Sequence, residues 1–390
     1  MKKIIQYWTD RLFGRIKPLA AGVYTHQSPP EVQPASRMHL RIDPGGTGVL
    51  ILNASTVLHL NQTATEYAYH LVQRTDLAEM ATRMAARYRV SRDQALADYN
   101  TLSAQIQALI ETPDLDPETF LGMERVEPYG GEITAPYRLD CALTYRVSGD
   151  IVSGDSSTAP QERVKRDLLT QEWQLILQKA WQAGIPHIIF TGGEPTLRPD
   201  LPELISFAER QGQVTGLLTD GLRLAETDYL HQLLEAGLDH LMIVLQEDEQ
   251  CWEAIRDVQA EDIYTTVHVT ITPATVSKFT GILNRLAELE VTSISLSVSD
   301  PSLAPALKDA AQAAAEHGFK LVWNLPTPYS ALNPVALELA AAGERAAGAG
   351  RAWLYVEPDG DVLPGQGILT VMGNLLTESW ETIKKAIRPE

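Results

Sequence analysis

The chain has 390 residues, 44% hydrophobic and 21% charged, with a formal net charge of −18. That acidity argues against nucleic acid, whose phosphates need a basic surface, and no apolar run approaches the ~20 residues of a membrane span. Two cysteines in such a length fit a reducing compartment, most simply the cytoplasm.

Residues 1–36 read as an N-terminal segment and linker. An amphipathic stretch, Tyr7, Trp8, Leu12, Phe13 and Ile16, is surrounded by Lys2, Lys3, Arg11, Arg15 and Lys17. Such a stretch suits an anionic membrane surface or a helix docking on its own protein. Its charged and aromatic residues interrupt the apolar core that a signal peptide requires. Pro29, Pro30 and Pro34 then mark the linker.

Residues 37–112 form a compact unit. His39–Asp43, Val49–Asn53 and Val57–Leu60 read as strands, the first two around Pro44-Gly45-Gly46. Three helices follow, with start signals at Thr63/Glu66, Thr75 or Asp76/Glu79, and Ser91/Gln94. Three short strands and three helices make a winged-helix arrangement. The element order and the phrase Leu52-Asn53…Leu60-Asn61 resemble the peptide-chaperone domain of PQQ biosynthesis, the RiPP recognition element. The resemblance implies that a leader or precursor peptide adds a strand along Val57, Leu58, His59 and Leu60, beside the third helix. A DNA-binding winged helix is the rival. Its recognition helix would carry Arg92 with Asp93 and Asp98, and little else basic.

Residues 113–135, with Asp114, Asp116, Glu118, Glu124 and Glu127 among three prolines, read as an acidic linker. From 136 to 330 strands and helices alternate. Candidate strands are Arg138–Arg146, His187–Thr191, Gln213–Thr219, His240–Leu245, Tyr264–Ile271, Ser293–Val298 and Lys320–Trp323. Helices between them end at Gly184, Gly212, Gly237 and Gly318, each suited to the left-handed position past a helix end. Five or six βα repeats at this spacing predict a parallel barrel or partial barrel.

The chain is organised around Phe190-Thr191-Gly192-Gly193-Glu194-Pro195. A buried strand runs into a Gly-Gly turn, and a helix opens at Asp200 with Glu203 as a capping box. Glycines let a ligand approach the backbone, and Glu194 can accept from an ammonium. On the fifth and sixth strands Thr266, His268 and Thr270 alternate with valines, and Ser293, Ser295 and Ser297 with Ile294 and Leu296. Helices must cover the apolar face, so the hydroxyl-rich face should line the lumen. Thr144, His268, Thr270, Ser295 and Ser297 are therefore ligand candidates in a solvated cavity. Cys141, between Leu139 and Leu143 in the alternation, reads as a packing residue. No Ser-His-Asp or Cys-His spacing is readable. No catalytic residue is assigned and no metal site is expected. Residues 331–390 contain a strand, a Pro358-Asp359-Gly360 turn and a second strand, then a final helix from Thr377.

Together these features resemble a radical S-adenosylmethionine (SAM) enzyme with a peptide-recognition domain in front and a SPASM-type extension behind. The fold implied is α/β: a partial (β/α)6 TIM-like barrel preceded by the winged-helix α+β domain and followed by the small extension. In that family Gly192, Gly193, Glu194 and Pro195 correspond to the Gly-Gly-Glu-Pro that binds the methionine ammonium of SAM. Laid on Thr144-Tyr145-Arg146, the Cys-x-x-x-Cys-x-x-Cys loop puts its cysteines at Val147, Ile151 and Gly154. A register from Cys141 meets Tyr145 and Ser148 instead. The position beside adenine is Ser153, the ribose-contacting position is Val244, and two extension cysteines are replaced by Ala347 and Gly365. A [4Fe–4S] cluster needs three thiolates from this loop, so the cluster is expected to be absent, while SAM binding stays open. Two readings result. One is a radical SAM-like pseudoenzyme that binds a peptide or a paralogous radical SAM enzyme in peptide maturation. The other is an enzyme using SAM or another small ligand for non-radical chemistry in the lumen.

Overall fold

The computed structural model describes residues 16–29, 36–53, 56–112, 135–148, 166–322, 325–330 and 348–387, with positions 32, 34, 163, 164, 332 and 333. The amphipathic stretch around Tyr7, most of the acidic linker and positions Ile151, Ser153, Gly154 and Ala347 lie outside the described residues. The chain divides into two compact units, Met1–Val126 and Glu127–Glu390.

The first unit is a four-stranded antiparallel meander followed by three helices. Its strands are β1 (Gly22–Gln27), β2 (Arg37–Ile42), β3 (Gly48–Leu52) and β4 (Thr56–Leu60), in that spatial order. The expected sheet had three strands and a linker before residue 37, so β1 corrects that boundary. Gly22–Gln27 pairs along its whole length with β2, and Pro29 and Pro34 follow it, before β2 begins. Leu19 and Tyr24 pack against the sheet's core. Helix α1 (Gln62–Val72) is capped by Asn61, whose side chain accepts from the Ala64 N–H, and not by Thr63. Asp76 caps α2 (Leu77–Tyr88) and Ser91 caps α3 (Arg92–Glu111) as expected. The carboxyl half of α3 delivers Ile106, Leu109 and Ile110 onto Leu40, Leu50, Leu58 and Leu60.

The second unit is an α/β domain built from six βα units. They run β5 (Arg138–Thr144), α4 (Thr170–Gln182), β6 (His187–Gly192), α5 (Leu201–Gln211), β7 (Val214–Thr219), α6 (Thr227–Glu235), β8 (His240–Val244), α7 (Glu249–Gln259), β9 (Tyr264–Ile271), α8 (Pro273–Glu288), β10 (Ser293–Val298) and α9 (Ala304–Glu316). A seventh parallel strand, β11 (Lys320–Leu321), ends the sheet beside β10. At the other end β12 (Trp353–Val356) lies parallel to β5, and β13 (Asp361–Leu363) and β14 (Gly373–Asn374) continue antiparallel. The last helix is α10 (Trp380–Ala386). The strand order β11-β10-β9-β8-β7-β6-β5-β12-β13-β14 is open, so the barrel is partial. Residues 331–390 thus extend the barrel's own sheet through β12. The four helix-ending glycines, 184, 212, 237 and 318, all hold positive φ.

Alternation sorts each strand into two faces. Leu139, Cys141, Leu143, Ile188, Phe190, Val267 and Val269 join the helices in one core. On the opposite face Ile189, Leu218 and Met242 gather with Leu325. The lumen is therefore apolar along β6–β8 and hydroxyl-rich along β9 and β10. This corrects the expectation of a solvated polar lumen: His268 is 1% exposed, Thr270 3% and Ser295 9%.

Candidate functional site

The parallel strands β5 and β6 meet at their carboxyl ends in a crossing too close for side chains. A Cβ on Gly192 would lie 2.2 Å from the Thr144 carbonyl, and one on Gly193 would lie 2.2 Å from that of Arg146. Gly192 also holds φ +127, a conformation L side chains rarely adopt. Gly193 N–H donates to Thr144 at 2.8 Å and Glu194 N–H to Arg146 at 2.7 Å. The Gly192 carbonyl accepts from Tyr329 N–H at 2.8 Å. The Gly192 carbonyl and the Gly193 and Glu194 amides are thus used within the chain.

Glu194 is 2% exposed and its carboxylate is fully engaged. Oε1 accepts from Thr196 N–H at 2.9 Å and from the Thr219 hydroxyl at 2.8 Å; Oε2 accepts from Asp220 N–H at 2.7 Å. Burial, with Asp220 adding to it, raises its carboxyl above the usual carboxylate range, and the three donors pull it back down. The side chain expected to meet an ammonium instead ties the loop after β6 to the loop after β7. Pro195 opens the short 3₁₀ turn Pro195–Leu197 that aims the Thr196 N–H back at it.

The capping box expected at Asp200 and Glu203 does not form, because Arg198 takes the Asp200 carboxylate in a fork at 2.9 and 2.7 Å. The same guanidinium donates to the carbonyls of Leu143 and Leu168, at 3.2 and 2.9 Å. Arg198, 7% exposed, was not singled out from the sequence, since its partners lie up to 55 residues away.

Of the lumen candidates, His268, Ser295 and Ser297 come together. Nδ1 of His268 lies 3.1 Å from Ser295 Oγ and Nε2 lies 2.9 Å from Ser297 Oγ. Burial depresses this imidazole to about 4, so it is neutral at physiological pH. Thr144 is not among them: its hydroxyl accepts from the backbone N–H and Nε of Arg146 at the end of β5. Beside the Gly-Gly turn stands a cluster that sequence reasoning missed. Tyr145 donates to Glu357 at 2.9 Å, Arg163 pairs with the same carboxylate, and Tyr329 packs edge-on to Tyr145 at 5.3 Å. Tyr355 completes the apolar part of the group.

The donor set does not fit an iron–sulfur cluster. Three thiolates are needed, and the chain's two cysteines are spent elsewhere. Cys141 is wholly buried on the helix-facing side of β5 and its thiol is raised well above the usual range by burial. Cys251, in α7, is pushed up to about 12 by burial. Val147, the first position of the cysteine loop, is a half-buried valine just past β5.

The edge of the first unit can be read from its register. Asp43 N–H donates to Thr47 and Asn53 N–H to Arg37, so Val49 and Ile51 of β3 bond to β2. Leu50 and Leu52 then bond to β4, and Leu58 and Leu60 spend their backbone groups inward. Val57 and His59 present theirs at the outer edge of the sheet, where no strand pairs among the described residues. Leu58 and Leu60 are buried while His59 is exposed, so the four expected peptide-contact residues divide into two core anchors and two edge groups.

Residues 144–250 match the radical SAM superfamily and residues 48–109 match coenzyme PQQ synthesis protein D (PqqD). A PqqA peptide cyclase of Streptomyces rochei is 33% identical over 128 residues, 29% of this chain and 35% of that protein. One of Granulibacter bethesdensis is 38% identical over 86 residues, 22% of this chain and 23% of that protein. The matched part therefore spans about a third or less of these curated relatives. Streptococcus suis SuiB bound to S-adenosylmethionine superposes with a TM-score of 0.53 at 13% identity, over 93% of this chain and 87% of that one. SuiB bound to its precursor peptide SuiA gives 0.52 at 13% identity, over 86% and 84%. These structures share the fold. Two stretches of the chain are thus similar to known families, one to PqqD and the other to the radical SAM superfamily.

Proposed function

We propose that the protein is a radical SAM-like pseudoenzyme that binds a leader or precursor peptide, or a paralogous radical SAM enzyme, within peptide maturation. The observation that carries this reading is a contrast between its two units. The PqqD domain keeps an open strand edge over an intact core, whereas the barrel has no thiolate set for a cluster. The Gly192 carbonyl, the Gly193 and Glu194 amides and the Glu194 carboxylate, in the stretch that faces SAM in the family, are bonded within the chain. The PqqA peptide cyclases and the SuiB–SuiA pair supply the peptide setting by similarity.

The partner's extended backbone would pair with Val57 and His59, with its side chains entering the groove beside α3. His59→Pro removes an outward N–H and adds a ring at the edge. Affinity for a candidate leader peptide should fall about tenfold or more, equivalent to ~1.4 kcal/mol. Titration calorimetry on wild type and variant, with circular dichroism for folding, checks this. Equal affinity in a folded variant would sink the edge-pairing reading.

A further inference from the structure

A cavity of about 410 Å³ opens at the carboxyl ends of β8 and β9, between α7 and α8. That end of a parallel sheet is where α/β folds place ligands, and the volume lies within the ~300–1,000 Å³ of small-molecule sites. It is distinct from the Gly-Gly turn: none of Gly192 to Pro195 lines it.

Its walls have a defined chemistry. Trp252 of α7, Ile282 of α8 and Leu332 supply its apolar lining. Arg285 stacks over the Trp252 ring at 4.1 Å and is held by both Glu249 oxygens, at 3.0 and 2.5 Å. This arginine is neutralised and stiffens the wall. Lys278 is different. Among the described residues it pairs with Glu247 at 3.5 Å, both side chains being mostly exposed, 64% and 70%. Such pairs are weak, so the ammonium is available to an incoming anion.

Two features have no account within the fold. Thr270, a lining residue 3% exposed, accepts from Thr275 through its carbonyl, but its hydroxyl has no partner among the described residues. Buried hydroxyls are normally bonded. Gly281 sits inside α8, where glycine disfavours helix, and a Cβ there would meet nothing within 4 Å. The helix gives up a side chain at the cavity wall without any steric need from the protein.

We propose that this cavity is a binding site for a small carboxylate with a flat apolar body. The body lies between Trp252 and Ile282 over Gly281, the carboxylate meets Lys278, and a polar atom of the body meets Thr270.

The test is calorimetric titration of the full chain with indole-3-acetate and its neutral counterpart indole-3-acetamide. The acid should bind saturably and about fivefold or more tighter than the amide, as a charge-assisted contact requires. Gly281→Leu fills the cavity with a better helix former, so binding should vanish while the melting temperature holds or rises. Lys278→Gln, at an exposed position, should keep the fold and abolish the preference for the acid. Absence of saturable binding would overturn the proposal. So would equal binding of acid and amide, or binding that survives Gly281→Leu.

Discussion

The Glu194 carboxylate satisfies three donors from two loops, with its side chain almost wholly enclosed. Glu194→Ala leaves the Thr196 and Asp220 amides and the Thr219 hydroxyl without an acceptor. The expected loss is roughly 2–4 kcal/mol, read from urea unfolding. A loss below about 1 kcal/mol, the size of an ordinary surface change, would show that the loops do not depend on this tie. His268 gives a pH signature. Its folded pKa near 4 lies below the ordinary histidine value of 6.5, so the unfolded chain binds more protons between those limits. Stability should therefore fall as pH drops from about 6.5 to 4, by up to roughly 3 kcal/mol from this residue. His268→Gln should flatten that limb, and an unchanged slope would assign it to other groups. The Gly-Gly turn itself was legible in the sequence. The use of Glu194 was not, because its partners follow at 25 and 26 residues' distance and only the parallel pairing of β6 with β7 brings them near.

At the scale of elements, apolar runs ending in glycine located the βα units, because strands covered by helices carry their hydrophobic face in plain alternation. The strand Gly22–Gln27 was missed for the converse reason. It is an edge strand, and its GVYTHQ sequence is mostly half-exposed. The cap at Asp200 failed because local helix signals do not register a buried arginine competing for the same carboxylate. The N-terminal strand makes a direct prediction. Its pairing with β2, the Gln62 side chain's bond to the Ile16 carbonyl, and Arg87's bond to the Lys17 carbonyl all bind residues 16–27 to the domain. A fragment of residues 16–112 should melt cooperatively. One beginning at residue 37 should melt roughly 5–15 °C lower, about 1–2 kcal/mol in a domain this small. Equal melting of the two fragments would return the boundary to residue 37.

For the whole molecule, the proposed function separates fold from chemistry. The strand order, the helix-facing core and the glycine crossing of β5 and β6 are all formed, and the proposal is that no iron–sulfur cluster accompanies them. Tyr145, Tyr329, Tyr355 and the Arg163–Glu357 pair fill the carboxyl end of β5 and join it to the extension strands. That the chain has two cysteines was plain from composition. The contact of Tyr145 with Glu357 required the fold, since they stand 212 residues apart. The most direct measurement is anaerobic reconstitution of the full chain with iron and sulfide, then incubation with SAM and a strong reductant. The account predicts no stoichiometric bound iron, no charge-transfer absorption and no 5′-deoxyadenosine. A full cluster's complement of iron together with SAM cleavage would contradict it.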